Sequence, residues 1–182
     1  MNLLKPCLSA LAVLVVSTLT GCSTTSTKAP DLSGSLRASL DQAGYKDVSA
    51  TEDVDKGVVT LTGHVTADSD KVRAETIAKA IAGAQVVANQ IAVVPAGVES
   101  QANAVNADLD KGIEKNLDAA LIVANLHDNV KYDVKNHVVT LSGQVDSPSK
   151  RAQSEQVALA VLNVHQVVNE IQVKDQKATS SN

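Results

Sequence analysis

The apolar positions of this chain alternate between two spacings. Leu32, Leu36 and Leu40 recur at the spacing of one helix face, and they are followed by two stretches in which apolar and polar residues alternate, as in half-buried strands. A second segment with helical spacing and a third alternating stretch complete the series. The pattern predicts the order helix, strand, strand, helix, strand.

The same series returns later in the chain, and from Val58–Val93 to Val138–Val173 it does so at a constant offset of 80 residues without a gap. VVTLTGHV (58–65) corresponds to VVTLSGQV (138–145), and VVANQIAV (86–93) corresponds to QVVNEIQV (166–173). Self-similarity at one fixed offset is the signature of an internal repeat. The sequence therefore predicts two tandem units of the same fold.

Turn and loop residues divide the two units further. Asp55-Lys56-Gly57 and Lys135-Asn136-His137 are predicted hairpin turns, in which Gly57 and Asn136 can take a positive φ. The polar residues 95–107 predict a coil linker that spans about 20 Å. The predicted organisation follows from these boundaries: a first domain over 34–94, the linker over 95–107, a second domain over 108–174 and a polar tail over 175–182. The helices are expected over 31–43, 69–82 and 149–162, with another covering 109–124.

The order of elements, the strand GVVTLTGHV (57–65) and the closing V-x-N-x-I-x-V strand resemble the BON domain. The resemblance covers both repeats. It implies an α+β fold in which each domain has a three-stranded mixed sheet packed by two helices. It also implies a role in envelope integrity, with phospholipid or protein binding and no enzymatic activity.

Two positions of the second unit depart from the family pattern. The family glycine between the second helix and the last strand is Gly83 in the first unit but Asn163 in the second. Asn is common at positive φ, so a helix C-cap is expected at both positions. His137 stands where the first unit has Gly57, which leaves the turn type at that hairpin open.

The first residues predict export and anchoring. Residues 1–21 have one lysine before a short apolar run and end in small residues, as in a secretory signal peptide. The stretch Leu19-Thr20-Gly21-Cys22 resembles a bacterial lipobox, which implies that Cys22 carries a thioether-linked diacylglycerol and an N-acyl chain. A disulfide between Cys7 and Cys22 is therefore not expected, because Cys7 leaves with the signal peptide and Cys22 is acylated. Residues 22–33 then form the acylated cysteine and a polar tether. An Asp at position 23 would, by resemblance to enterobacterial lipoproteins, favour retention in the inner membrane, so Ser23 implies sorting to the periplasmic face of the outer membrane.

Composition narrows the possible functions. Aromatic residues make up 1% of the chain, with no Phe and no Trp, which argues against an aromatic-lined ligand pocket and against base stacking on nucleic acid. The net charge of −4 also argues against a nucleic-acid-binding protein, which usually carries an excess of basic residues. No nucleophile stands beside a base at a readable spacing, and neither a cofactor nor a metal site is predicted. The histidines are expected to be solvent-exposed: His64, His127, His137 and His165.

Four cations of the second unit are candidates for contact with lipid phosphates: Lys111, Lys115, Lys150 and Arg151. The alternative for all four is a solvated helix face. Residues 108–175 hold seven basic and ten acidic side chains, so general attraction to an anionic membrane is unfavourable and only a local patch would act. The apolar run 119–126 is expected to complete the core helix, or else to expose an apolar edge that docks on membrane or on the other domain.

Two pairs of residues at equivalent positions call for a structural explanation first. Gly63 and Gly143 fall in the middle of strands, where close approach of a helix, a bulge or a binding surface of bare backbone would explain them. Asn89 and Asn169 are expected to hydrogen-bond backbone at a strand edge, with a ligand role as the alternative.

Together these features predict a membrane-anchored, non-enzymatic envelope lipoprotein that binds a phospholipid surface and supports outer-membrane integrity or osmotic-stress tolerance. The alternative is a periplasmic protein-interaction module.

Overall fold

The computed structural model describes residues 29–174. The predicted signal peptide, Cys22, the first part of the tether and the tail lie outside these residues. Within this part of the chain, no helix combines the length and the apolar character needed to cross a bilayer.

The first domain is built around one central strand. Its elements are α1 (Ser33–Gln42), β1 (Val48–Asp53), β2 (Val58–Val65), α2 (Asp68–Ala82), β3 (Val86–Asn89) and β4 (Ala92–Val93). β1 pairs with β2 in antiparallel fashion, whereas β3 and β4 both pair with β2 in parallel fashion on its other side. β3 and β4 are thus two parts of the single closing strand that the sequence predicts, and α2 is the crossover that parallel pairing requires.

The second domain repeats this arrangement. Its elements are α3 (Glu99–Val123), β5 (Val130–Lys135), β6 (Val138–Val145), α4 (Pro148–Leu159), β7 (Gln166–Asn169) and β8 (Gln172–Val173). β6 is central, with β5 antiparallel on one side and β7 and β8 parallel on the other. The prediction of an α+β fold with two tandem domains and a mixed sheet in each is confirmed.

Each core is a thin layer between one sheet face and two helices. In the first domain, Leu36 and Leu40 of α1 and Ala74 and Ala78 of α2 are fully buried against the sheet. Alanine on the inner face of α2 lets that helix lie close to the sheet, so a core without Phe or Trp is still filled. The corresponding core of the second domain centres on Ile113, Leu117, Leu121, Val139 and Leu141.

The coil linker expected over 95–107 is wrong. α3 begins at Glu99, so only residues 94–98 lie outside regular structure between β4 and the helix. The segment ESQANAVNA (99–107) contains three Ala and neither Gly nor Pro. Such a segment extends a helix that is already nucleated by an amphipathic stretch, and here it extends α3 toward its N-terminus.

The two domains meet along β3 and β7 with contacts that nearly repeat under the internal symmetry. Lys56 Nζ lies 2.7 Å from Glu170 Oε2, and at the equivalent positions Asn136 Nδ2 donates to the Gln90 carbonyl oxygen at 2.7 Å. The hydrogen bond to Glu170 raises the pKa of Lys56. Between these polar contacts lies a small buried cluster from both domains: Val58, Ala88, Val138 and Val168.

One side chain breaks this symmetry. Gln166 accepts a hydrogen bond from the Asn89 N–H (3.0 Å) and donates one to the Val87 carbonyl oxygen (2.6 Å). Its amide therefore pairs with the edge of β3 as a further strand would. The equivalent residue of the first domain is Val86, which cannot return these bonds.

The hairpin at His137 is a two-residue turn in which both central residues have a positive φ. Asn136 has φ 47° and His137 has φ 68°, the backbone of a type I′ turn. Asp110 of α3 stabilises it, because its carboxylate accepts both backbone N–H groups at 2.8 and 2.9 Å. The open question of turn type at this hairpin is thereby answered.

Gly63 and Gly143 are needed because of neighbouring backbone, and the close neighbour is not a helix. A Cβ at Gly63 would overlap the carbonyl oxygen of Asp47, and one at Gly143 would overlap that of Asn129. Asp47 directly precedes β1, and Asn129 directly precedes β5, the antiparallel partner strands of the two glycine-containing strands. Of the explanations given for these glycines, close approach of a helix to the sheet is therefore wrong.

Gly83 and Asn163 both have a positive φ, of 62° and 67°. Gly83 follows α2 directly as its C-cap. α4 ends three residues earlier than predicted, at Leu159, with Ala160 as its C-cap, because the chain turns there to bury Val161. Asn163 therefore lies beyond the helix end, and the expectation that it caps the helix is wrong.

Candidate functional site

The most exposed apolar surface of the second domain lies where α3 and α4 end. Four large apolar side chains near these two helix ends have 54%, 83%, 48% and 75% of their surface exposed, and they are Ile122, Val123, Leu159 and Leu162. Val123 also lines a shallow hollow of about 430 Å³ between the helices, together with Ala119, Ala120, Ala124, Val157 and Ala160. The four exposed side chains and this hollow are called the α3–α4 patch.

Helix geometry explains why these residues point outward. Leu117 and Leu121 of α3 are fully buried. Each further residue rotates by about 100° around the helix axis, so Ile122 and Val123 leave the buried face. For the run 119–126, Leu121 and Leu126 belong to the core, as predicted, while Ile122 and Val123 form an exposed apolar edge. Docking of this edge on membrane or on the other domain stays a prediction.

The first domain does not carry such a patch. Leu40 of α1 and Leu121 of α3 are both fully buried, so Asp41 and Gln42 correspond to Ile122 and Val123. On the other helix, Lys79 and Ala82 correspond to Leu159 and Leu162 at the offset of 80 residues. Apolar side chains on the second domain thus stand where the first has charged, polar or small ones.

The structure does not bring the four predicted lipid-contact cations to this patch. Lys111 lies 3.4 Å from Asp108, and Lys150 lies 2.8 Å from Asp146. Arg151 donates to the Asn169 carbonyl oxygen at 3.2 Å, and Lys115 is exposed. Lys115 is eight residues before Val123 in α3, about 12 Å along the helix. Their role in lipid contact remains a prediction.

Asp118 precedes Ile122 by one turn of α3 and is tied to the strand that follows. His127 Nε2 lies 3.0 Å from Asp118 Oδ1, and Tyr132 donates a hydrogen bond to the same oxygen at 3.0 Å. Burial, together with this hydrogen bond, raises the pKa of Tyr132. The residues that line the hollow are all Ala or Val, so it offers apolar contact.

The expectation that all histidines are exposed is wrong for His137. Its ring is half-buried and lies 4.8 Å from the ring of His165, centroid to centroid. Burial, followed by the neighbouring His165, lowers the pKa of His137. His64, His127 and His165 are exposed. In residues 29–174 no three His, Cys, Asp or Glu side chains are grouped so that they could hold a metal ion.

Leu159 and Leu162 are the residues of the patch that sequence reasoning missed. The signal was present in the repeat itself, where Lys79 becomes Leu159 and Ala82 becomes Leu162. It could be interpreted only once the phase of α4 showed that both side chains face outward.

A protein made of two such domains is a tandem BON-domain protein. The BON domain family matches residues 30–95 and 109–175. The chain is 31% identical over 138 residues to osmotically-inducible protein Y of Escherichia coli strain K12, which spans 75% of this chain and 68% of that protein. The chain belongs to the BON domain family.

Solved structures add only a weak likeness. The C-terminal domain of CdsD, the structural protein of the type III secretion system of Chlamydia trachomatis, is 14% identical, with a TM-score of 0.33, over 81% of this chain and 99% of that one. A second CdsD structure is 15% identical, with a TM-score of 0.36, over 79% and 92%. Scores this low carry no inference about function.

Proposed function

We propose that this chain is a non-enzymatic envelope lipoprotein, anchored through acylated Cys22 at the periplasmic face of the outer membrane, whose second domain contacts phospholipid. Family membership and the similarity to an osmotically inducible protein support a role in envelope maintenance under osmotic stress. The lipobox-like sequence supports the anchor. The observation that carries the lipid contact is the α3–α4 patch, which one domain has and its repeat lacks.

The patch is of the right strength to orient a protein that is already anchored. Moving all four side chains out of water would be worth at most about 5 kcal/mol, since full burial of one such side chain yields about 2 kcal/mol and on average more than half of each is exposed. That is close to the weak, reversible membrane binding of a single acyl chain. The anchor then holds the protein at the membrane, and the patch determines which side faces the bilayer.

The tether keeps the anchored cysteine close to the first domain. Ala29 lies next to β1, where its N–H donates to the Val54 carbonyl oxygen at 2.9 Å. Six residues lie between Cys22 and Ala29, so the maximum reach of the tether from Ala29 is about 24 Å.

Vesicle co-sedimentation of residues 23–182 tests this proposal, because that fragment retains every described residue and lacks the acylated cysteine. Val123→Asp should reduce the bound fraction at least about tenfold, since it removes apolar contact and adds a charge that resists desolvation. The matched control is Val105→Asp, which changes an exposed valine in the first half of the same helix. Equal loss in both variants, or no loss in either, would contradict the proposal.

Comparing neutral with anionic vesicles tests the predicted cations separately. If Lys111, Lys115, Lys150 and Arg151 contact headgroups, anionic vesicles retain more protein, and replacing the four with Gln removes the difference. If anionic vesicles retain no more protein than neutral ones, these cations are solvated and the patch acts alone. If the wild-type protein does not co-sediment with any vesicles, while Val123→Asp abolishes its crosslinks to envelope proteins, the result supports the protein-interaction alternative instead of lipid binding.

A further inference from the structure

A second concave surface, which plays no part in the proposed lipid contact, lies at the junction of the two domains. This junction cleft has a volume of about 320 Å³. α2 of the first domain supplies Lys71, α3 supplies Asn106, and the second domain supplies His137 and His165. Backbone atoms hold the two histidines in place, because the His165 N–H donates to the His137 carbonyl oxygen at 2.9 Å.

Four nitrogen-bearing side chains of the cleft lack a direct partner. Within residues 29–174, the Lys71 ammonium, the Asn106 amide and the two imidazoles make no hydrogen bond or ion pair. Lys71 is nevertheless half-buried, and burial lowers its pKa. Asp68, Glu75 and Asp110 attract this ammonium from a distance, yet none forms an ion pair with it, so an anion in direct contact would stabilise it further.

Two of the nearby acids already have partners. Both oxygens of Asp110 accept backbone N–H groups of the hairpin turn. Glu75 pairs with Lys79 and accepts a hydrogen bond from Asn89 at 3.0 Å. Asp68 is exposed at the rim and attracts Lys71 from there. These four donors therefore lack direct partners, while the three nearby acids keep their negative charge and two of them already accept hydrogen bonds.

The internal repeat provides a comparison for this site. Arg151 is the equivalent of Lys71, and it is exposed and donates to the Asn169 carbonyl oxygen. Gly57 and Gln85 are the equivalents of His137 and His165 at the offset of 80 residues. The combination of one ammonium and two imidazoles thus arises only where the second domain covers α2 of the first.

We propose that the junction cleft binds a phosphate group, either of free phosphate and small phosphate esters or of a phospholipid headgroup. Lysine offers three N–H donors, and protonated imidazole offers two, which matches an anion with several acceptor oxygens. The site is distinct from the α3–α4 patch, so it does not depend on the proposed function.

Binding at this site is linked to the charge of the histidines. Lys71 and His165 face His137 as cations or potential cations, while Asp110, Asp68 and Glu75 supply negative charge around the cleft. A bound phosphate favours the protonated form of His137, so phosphate opposes the lowering of its pKa by burial. By reciprocity, phosphate binds more tightly as the pH falls through the titration range of this ring.

The test is an NMR titration of the histidine ring protons in residues 23–182. Inorganic phosphate is compared with chloride at the same ionic strength. The titration midpoint of His137 should move to higher pH with phosphate. The ring signals of exposed His64 and His127, which do not line the cleft, should respond equally to phosphate and chloride. Equal His137 midpoints in phosphate and chloride would exclude free phosphate as the ligand, and equal midpoints in every arm, vesicles included, would overturn the proposal.

Variants then test the residues. Lys71→Met keeps the aliphatic stem and removes the charge, so it should weaken phosphate binding at least about tenfold. Arg73→Met removes an exposed cation of the same helix that does not line the cleft, and it should leave binding unchanged. His165→Gln is a second variant, in case Lys71→Met fails to fold, and it should also weaken binding. Unchanged binding in a folded Lys71→Met or His165→Gln protein would overturn the proposal.

Two further arms distinguish the source of the phosphate. Glycerol phosphate and phosphatidylglycerol vesicles are each added in place of inorganic phosphate. If soluble esters move the histidine midpoints, the cleft accepts free phosphate groups. If only vesicles move them, the ligand is a headgroup. If neither does so, the cleft binds no phosphate.

Discussion

Asn89 and Asn169 make the same three hydrogen bonds in surroundings that differ in burial. Asn89 Nδ2 donates to the Lys71 carbonyl oxygen and to Glu75 Oε2, and its Oδ1 accepts the Ile91 N–H, at 3.2, 3.0 and 3.3 Å. Asn169 does the same with the Arg151 carbonyl oxygen, Glu155 and Ile171, at 3.2, 3.0 and 3.2 Å. In each domain this one side chain ties the second helix to the break in the closing strand.

Replacing each with Ala should therefore have unequal costs. Asn89 is 3% exposed, so Asn89→Ala leaves a buried N–H and a carbonyl group without water, at a cost of about 3 kcal/mol. Asn169 is only half-buried, so water replaces part of the lost bonding and Asn169→Ala should cost about 1.5 kcal/mol.

Urea unfolding of residues 23–182, followed through NMR signals of each domain separately, measures both costs. Asn116→Ala is the control, because Asn116 is exposed on α3 and the change should alter stability by less than about 0.5 kcal/mol. If Asn169→Ala costs as much as Asn89→Ala, or if both cost less than the control, the argument from buried unsatisfied groups is refuted.

Three other predictions concern the backbone, the pH dependence and the junction. Gly63→Ala should lower the free energy of unfolding of the first domain by about 3 kcal/mol in urea, because a Cβ at this position, with φ 104°, overlaps the Asp47 carbonyl oxygen. Gly34→Ala, in the open part of α1, should raise it by up to about 1 kcal/mol. Similar values for the two variants would contradict this prediction. Burial holds the pKa of His137 below 6.5, so the unfolded chain binds this proton at a higher pH than the folded chain does, and the free energy of unfolding falls as the pH drops through 6.5. His137→Asn should reduce this dependence of the urea midpoint on pH, and an unchanged dependence would contradict the prediction. Gln166→Ala removes both amide bonds to β3, so ¹⁵N relaxation should show more independent tumbling of the domains, and unchanged relaxation would show that the bridge is dispensable.

The fold was predictable because its signals are short-range and occur twice. Alternation in 58–65 and its repeat identifies the central strands, and a helix between two strands of one sheet requires the parallel crossover that α2 and α4 provide. The interruption at Gln90 was not predictable. Alternation continues through Asn89 and Ile91, and the break depends on hydrogen bonds from the Asn89 side chain.

The sites were less accessible from sequence, since they depend on contacts between distant segments. His137 and His165 approach each other only because the hairpin turn and the loop before β7 lie at the same end of the sheet. Lys71 joins them from the other domain, across a junction that no local pattern encodes. The exposed edge of 119–126 was predictable, in contrast, because the helical phase of a single segment determines it.

The helical connection between the domains makes their relative orientation depend on the exact number of residues. The first half of α3 lies against β4 of the first domain, and its second half packs on β5 of the second. One residue inserted between 100 and 107 would rotate the second domain by about 100° and advance it by about 1.5 Å, whereas four residues would nearly restore its facing. The length of this segment therefore determines the rotation of one domain relative to the other. Changing this length would redirect the α3–α4 patch and take His137 away from Lys71 in the same step, while each domain stays intact.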